Sequence, residues 1–452
     1  MSITDQQYTD WLASDDADPV ILVEATHSGG TEYVASAPFI SGATDTPADT
    51  SYSDVLIGEV EVENRLDAAT VGDLLLVNDG ELDGWLDYNW RGYALKVFLG
   101  DKAWSRADFR LVIDGINGGI EAPDDDRLEW VVLDRGENLR VNIGSDTTPI
   151  ALGEVYNCKP VLIDAVNLKY KAHDGAVTAL TVRDNGVVIS PTEDLANGEF
   201  TLASQPAGQI TCDVSQADKS AADIVDELCN RASIAVDSAN LSAFANTDDL
   251  GVYIDEPTDL ESVLSDVLAS VGATYRFNTS GELQIFRLEA PGTATLTLTN
   301  DDVIERGLKL SATERPTEVF TLGYRKNWYQ QSPDSLAGSL DADEKNDFEI
   351  EYLTVTKDNN LANNPLAQDD RVNTLIANQT DAQTECDRRA SLRSVRRRVW
   401  RATCFLPASE VELGETVNLT YPALGWDSGK DAVVIGINRR VGKRRMELTL
   451  WA

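Results

Sequence analysis

Histidine and cysteine are scarce in this chain, basic residues are outnumbered and long apolar runs are missing. Each shortage removes a class of function. A zinc or iron-sulfur site needs three or four converging ligands, and two histidines with five cysteines, Cys158, Cys212, Cys229, Cys386 and Cys404, offer no C-x-x-C and only wide gaps. No metal and no cofactor is therefore expected. The odd cysteine count argues for a reducing compartment at synthesis rather than a disulfide framework, with the thiols acting as small buried apolar groups. No apolar run approaches the ~20 residues that span a bilayer, so no membrane insertion by this chain is expected. The acidic opening MSITDQQYTDWLASDD lacks the basic and apolar regions of a secretory signal. Lysine and arginine number 38 against 76 acids, a net charge of -38. Such a surface repels phosphates and disfavours sequence-specific DNA binding. It suits either a channel wall past which DNA slides or solubility in a saline habitat. Neither G-x-S-x-G nor a P-loop occurs. His27 and His173 sit in no nucleophile pattern and read as polar strand or turn residues. Carboxylate pairs discriminate nothing, because 76 acids always supply one. No constant-period repeat appears, which disfavours solenoids and propellers.

What is present reads as ordinary globular β protein, 42% hydrophobic and 25% charged. Its length suggests roughly three domains. Residues 20 to 140 contain short strand-like runs, VILVEA, EYVASA, DLLLVN, YALKVFLG, FRLVIDGI and RLEWVVLD, bounded by turn formers. The expected fold is mainly β with a small α+β insert, a multidomain antiparallel sandwich or barrel; the missing strand-helix alternation disfavours a doubly wound nucleotide fold. The segments are an N-terminal β domain over 1–150, a β hairpin module over 151–212, an insert of two helices and a hairpin over 213–299, and a C-terminal β domain over 300–452. Asp174-Gly175 and Asn185-Gly186 are two-residue hairpin signals. Ser220 is a candidate cap for a helix with Ile224, Leu228 and Ala232 on one face. Thr258 is the candidate cap of a second helix, with Glu261 as its capping-box partner, and Ser280-Gly281 turns the hairpin. Residues 330–370 are polar and turn-rich, an extended excursion left mobile or folded onto a partner. A helix over 378–392 and four strands follow.

Two stretches carry candidate sites. NDGELDGWLDYNW, residues 78–90, fits an EF-hand through Asp79, Glu81, Asp83 and Gly84, but the glutamate required at loop position 12 falls on Trp90, which binds no calcium. Trp85, Tyr88 and Trp90 would line a sugar platform, or serve as core and interface anchors. A turn between buried strands is the favoured reading. RRASLRSVRRRVWR, residues 388–401, is the one basic concentration. It reads as an internal ion-pair network or a docking surface for an acidic subunit, its side chains divided between helix and strand.

The order of segments resembles the tail-tip and baseplate hub proteins of tailed bacteriophages and gene transfer agents. YSDVLIGEVEVEN and GDLLLVNDGELDGWLDYNWRGYALKVFLGD are similar to their N-terminal β domain. There an N-x-DG-x-xD turn precedes a strand carrying G-x-x-x-x-V-x-x-G. LGEVYNCKPVLIDAVNLKYKAHDGAVTALTVRDNGVVI is similar to the hairpin module that follows, and LGETVNLTYPALGWDSGKDAVVIGINRRVGKRRMELTLWA to the C-terminal hub strands. The resemblance implies a structural, non-enzymatic virion protein made in the host cytoplasm. It would form a homo-oligomeric ring, commonly of three copies, at the distal end of the tail tube. Its partners would be tube proteins, a central spike or fibre, and passing DNA bound without specificity. Neither a lysozyme-like insert nor an iron-sulfur cysteine cluster is present, so lytic activity and metal do not carry over. Arg396, Arg397 and Arg398 become candidates for inter-subunit ion pairs, and Trp85, Trp90 and Trp426 for core or interface anchors. A receptor-binding or fibre-attachment protein of the same particle is the alternative, and a cell-wall hydrolase the third.

Overall fold

The computed structural model describes residues 3–452 except 15, 59, 66–68, 279, 406–410 and 442–444, with the side chains of 13, 64 and 69–71 also left aside. Parts of three segments quoted above, residues 1, 2 and 15, Glu59, and 442–444, lie outside the described residues. The chain is mainly β, in several largely antiparallel sheets with a smaller helical portion.

Every strand-like run of the first 140 residues enters one seven-stranded sheet. Alternation decides which face is buried: in Arg127–Leu133, Leu128, Trp130 and Val132 point inward while their neighbours do not. Their core is completed by Leu76, Leu95, Val97 and Trp90. A second large sheet, of eight strands, gathers the chain's end, with Arg398–Phe405, Thr416–Tyr421, Trp426–Val441 and Arg445–Trp451 side by side.

The C-terminal sheet takes in a strand from the N-terminal part of the chain. Trp426–Val441 spans 16 residues, and its first half pairs with Thr416–Tyr421. Beyond that partner's end its second half pairs with Val60–Arg65, in register from Gly436↔Arg65 to Val441↔Val60. An N-terminal strand thus continues the edge of a C-terminal sheet, and Val60, Val62 and Val441 all join the N-terminal core.

Between them lies a five-stranded sheet containing Ile150–Cys158, Ala179–Asp184, Ile210–Ser215 and Gly251–Ile254. Helices Ala221–Ala232 and Leu260–Ser270 cover it, burying Ile224, Leu228, Leu264 and Leu268 against Ile150, Leu152 and Val252. Its pairing joins residues of 151–212 to residues of 213–299. Ser220 caps the first helix in a capping box with Asp223. For the second, Asp259 rather than Thr258 is the cap, accepting from the Ser262 N–H at 3.0 Å. Thr258 is held one residue earlier in a short pairing with Ile143, and Glu261 turns to the Tyr275 hydroxyl.

Of the hairpin signals, Asn185-Gly186 turns Ala179–Asp184 into Val187–Ile189 with both residues at positive φ, 50° and 83°, as a type I′ turn requires. Ser280-Gly281 lies in the turn between Ala273–Phe277 and Leu283–Arg287. Asp174-Gly175 does not form a hairpin. The preceding Lys169–Lys171 pairs with Val161–Asp164 and Glu199–Thr201 in another sheet, so these residues carry a crossover, and Asp174 is occupied by Arg231.

The stretch 330–370 folds onto its own chain instead of extending. Asp341 caps the helix Ala342–Glu349, and Leu353–Asp358 and Gln368–Asn373 flank Thr317–Tyr324 in a three-stranded sheet. The helix Gln379–Arg393, expected over 378–392, packs Ala382, Cys386 and Ala390 on Phe320 and Leu322.

Gly153 sits at φ 75°, and a Cβ there would lie 2.0 Å from the Leu250 carbonyl oxygen. Gly153→Ala should therefore lower the unfolding free energy by about 3 kcal/mol or more, from backbone strain plus overlap, read as a drop in the urea midpoint.

Candidate assembly surface

The basic run divides where the helix ends. On the helix side Glu385 is buried, and Arg388 and Arg389, three and four residues on, both reach it: Arg388 Nε donates to Oε2 at 2.7 Å and Arg389 Nε to Oε1 at 2.6 Å. Arg389 also donates to the Ala269 and Ser270 carbonyls at 2.6 and 2.8 Å. These close the helix Leu260–Ser270, where unsatisfied carbonyls and the helix dipole favour a cation. Arg393 pairs with Asp370. This half of the run is an internal network that ties helix to helix.

On the strand side the arginines face outward. Arg397 lies over the Trp451 ring, 4.4 Å from its centroid, and donates to the Leu392 carbonyl. Glu314 sits beside this pair, accepting from Trp451 Nε1 at 3.0 Å. The Arg398 backbone exchanges two hydrogen bonds with Ala452, at 2.9 and 3.0 Å, fastening the last residue to the start of its strand. Lys430 is brought to the same corner: burial, then the charges of Arg398 and Arg397, push its pKa down. Among the described residues no carboxylate lies within 4.0 Å of Arg396, Arg398 or Lys430. Lys430 and Glu314 were missed in the sequence, since neither stands in a basic run; pairing of Thr416–Tyr421 with Trp426–Val441 places Lys430 opposite Leu419.

The tryptophans of the candidate set turn inward. Trp90 is buried, donates to the Trp85 carbonyl at 2.8 Å and meets Trp130 edge-on, while Trp85 stacks on Trp130 at 5.3 Å. Tyr88 stacks on His27. Trp85 and Trp90 thus meet Trp130 and Tyr88 meets His27, an arrangement that favours turn and core over an open sugar platform. Trp426 is fully buried against Trp400. Asn78, Asp79 and Asp83 serve the turn: Asn78 accepts from the Gly80 and Leu82 N–H groups and donates to Asp83, and Asp79 accepts from the Glu81 N–H.

Both histidines are buried. His173 Nδ1 accepts from the Ala151 N–H at 3.0 Å, and Nε2 lies 2.9 Å from the Gln216 amide.

Comparison with known proteins gives a likeness in fold alone. No family model and no curated protein matches the chain. Among solved structures it is similar to the tail protein from Neisseria meningitidis MC58, at 10% identity over 96% of this chain and 97% of that one, with a TM-score of 0.49. It is similar also to the 43 kDa tail protein of prophage MuSo2 from Shewanella oneidensis, at 12% identity, 96% and 97% coverage and a TM-score of 0.47. A chain of a native gene transfer agent virion matches at 13% identity over 69% of this chain and 86% of that one, with a TM-score of 0.44.

Two outcomes follow. Glu385→Ala leaves Arg388 and Arg389 without their shared carboxylate and should cost about 3–5 kcal/mol in chemical denaturation. Burial holds the His173 pKa down at about 4, whereas an unfolded histidine titrates near 6.5. Below that value the unfolded chain takes up a proton that the fold refuses. The contribution is therefore complete above pH 6.5 and is lost as pH falls towards 4, by up to about 3 kcal/mol. Urea melts at pH 7, 5.5 and 4.5 should show this slope in the native protein and a shallower one in His173→Gln.

Proposed function

We propose that this chain is a structural tail protein of a phage-like particle, a hub that forms a ring at the distal end of the tail tube and holds a central spike or fibre around the DNA path. The family reading comes from the three sequence segments that resemble tail-tip hubs. The observation that carries the assembly reading is the cationic corner of Arg398 and Lys430, with Arg396 exposed just before it in the chain, none of the three within 4.0 Å of a carboxylate among the described residues, on a chain of net charge -38. Nearly any other copy of the chain, or an acidic tube or spike subunit, presents carboxylates to it, and charge complementarity of this kind steers docking and fixes register. Arg397 is already committed to Trp451, so its role is to brace the corner rather than to bridge subunits.

The N-terminal strand Val60–Arg65, paired into the C-terminal sheet, supports the same reading. A ring subunit must hold its two β units at a constant angle for the ring to close, and six paired positions from Gly436↔Arg65 to Val441↔Val60 resist hinge motion. Acidic residues elsewhere would keep DNA from adhering to the channel. In this role the chain makes no bond and breaks none.

Charge reversal tests the reading. Cross-linked samples at low salt should yield open-centred rings in negative-stain microscopy and a matching mass in sedimentation. Arg396→Glu with Arg398→Glu and Lys430→Glu should leave monomers with an unchanged melting temperature. Wild-type association should weaken as salt shortens the screening length from about 10 Å at 0.1 M towards 3 Å at 1 M. Rings that survive the triple reversal would remove this corner from the interface, and monomers under every condition, including with tube subunits added, would overturn the hub.

A further inference from the structure

We propose that Cys158 and Cys212 are a redox site, closing to a disulfide when the folded chain meets a peroxide. The proposal is independent of the tail reading and stands on register, distance and isolation. The two residues are direct partners on the antiparallel strands Ile150–Cys158 and Ile210–Ser215, with Sγ atoms 3.6 Å apart. Opposed residues on such strands have Cα atoms about 4.5–5.5 Å apart, inside the ~4.4–6.8 Å that disulfides span. Bond formation at ~2.05 Å therefore asks the sulfurs to approach by roughly 1.5 Å, a side-chain rotation rather than a backbone move.

The backbone around Cys158 is held for that encounter. A register shift falls between Val155 and Cys158, with Asn157 at φ 50°. The Asn157 side chain is anchored by donating to Asn327 Oδ1 at 2.8 Å and to the Tyr329 carbonyl at 2.7 Å, and its N–H donates to Asp213 at 2.9 Å. No competing thiol is near: Cys229, Cys386 and Cys404 belong to three other cores, whereas Cys158 and Cys212 share one.

Both sulfurs are fully buried, and burial raises the Cys158 pKa well above the usual thiol range. Burial refuses bulky electrophiles and the raised pKa leaves little thiolate at Cys158, so the reaction is slow and open only to a small neutral oxidant such as hydrogen peroxide. One sulfur attacks a peroxide oxygen as its minor thiolate form: the S–O bond forms, the O–O bond breaks, and the departing hydroxide takes the proton that the thiol released and leaves as water. The second sulfur then attacks the sulfenic sulfur: the S–S bond forms, the S–O bond breaks, and the hydroxide leaves with the remaining proton as a second water. Two thiols give up two electrons and the peroxide accepts them. The new bond closes a ring around residues 159–211, stapling both roots of the small sheet that contains Val161–Asp164, Lys169–Lys171 and Glu199–Thr201, and constrains the unfolded chain.

The test uses the full native chain. After hydrogen peroxide and catalase, the protein is denatured, alkylated without reductant and mapped by peptide mass. The expected result is one cross-linked pair joining Cys158 to Cys212, alkylation at the other three cysteines, and a melting temperature raised by several degrees and restored by dithiothreitol. Cys158→Ala should show neither link nor shift. The mapping of the native protein decides the matter even where that variant fails to fold. Five alkylated thiols after treatment, a link to any other cysteine, or separate sulfinic acids at the two positions would overturn the proposal.

Discussion

The ladder between Val60–Arg65 and the second half of Trp426–Val441 is the constraint on which the rest of the molecule depends. A backbone edge left open in a buried setting must find hydrogen-bond partners, and here the partner for the last third of the chain comes from its first seventh. Once that pairing forms, Val60 and Val62 are delivered to the N-terminal core beside Val441. The first part of the chain thus lends a strand to the C-terminal sheet, and that strand and its partner carry apolar side chains into the N-terminal core. The middle sheet and its two helices pack in the interval with a core of their own.

Charge is arranged on the same frame. Cations of the 388–401 run that meet helix ends and a buried carboxylate become structural, through Glu385 and the carbonyls of Ala269 and Ser270. Those that pass the helix end emerge on the strand side, where Trp451 takes the face of one and Lys430 adds a further charge. A buried arginine without a partner would cost several kcal/mol, so the fold pairs the inner ones and leaves Arg396 and Arg398 where solvent, or an acidic neighbour, can reach them. The same run supplies both an internal tie and a docking corner because helix and strand periodicities point its side chains in different directions.

The sequence was most legible where the signal is local. Strand alternation in the first 140 residues, the Asn185-Gly186 turn, the Ser220 cap and the helix near 378–392 each depend on a few adjacent residues, and each is found in place. Thr258 failed as a cap by one position: its hydroxyl donates back to the Glu256 carbonyl, and Asp259, its neighbour in the same short ladder, accepts from the Ser262 N–H instead. Asp174-Gly175 has a hairpin composition, but the strands on either side have better partners in different sheets. The polar stretch 330–370 looked unable to bury itself, yet Phe348, Leu353 and Val355 sufficed once Phe320 and the middle sheet offered a surface.

By itself the sequence determined the class of the protein: mainly β, acidic, with one concentrated arginine run, and in three segments similar to tail-tip hubs. Composition and periodicity determine that much because they decide what each short piece buries and exposes. Tertiary structure alone decided which thiols face each other, which arginines keep a free head, and that Trp85 stacks on Trp130 while Trp90 meets it edge-on. Those outcomes rest on strand register between segments tens to hundreds of residues apart. A shift of one residue in register sends a side chain to the opposite face, and no local pattern carries that information.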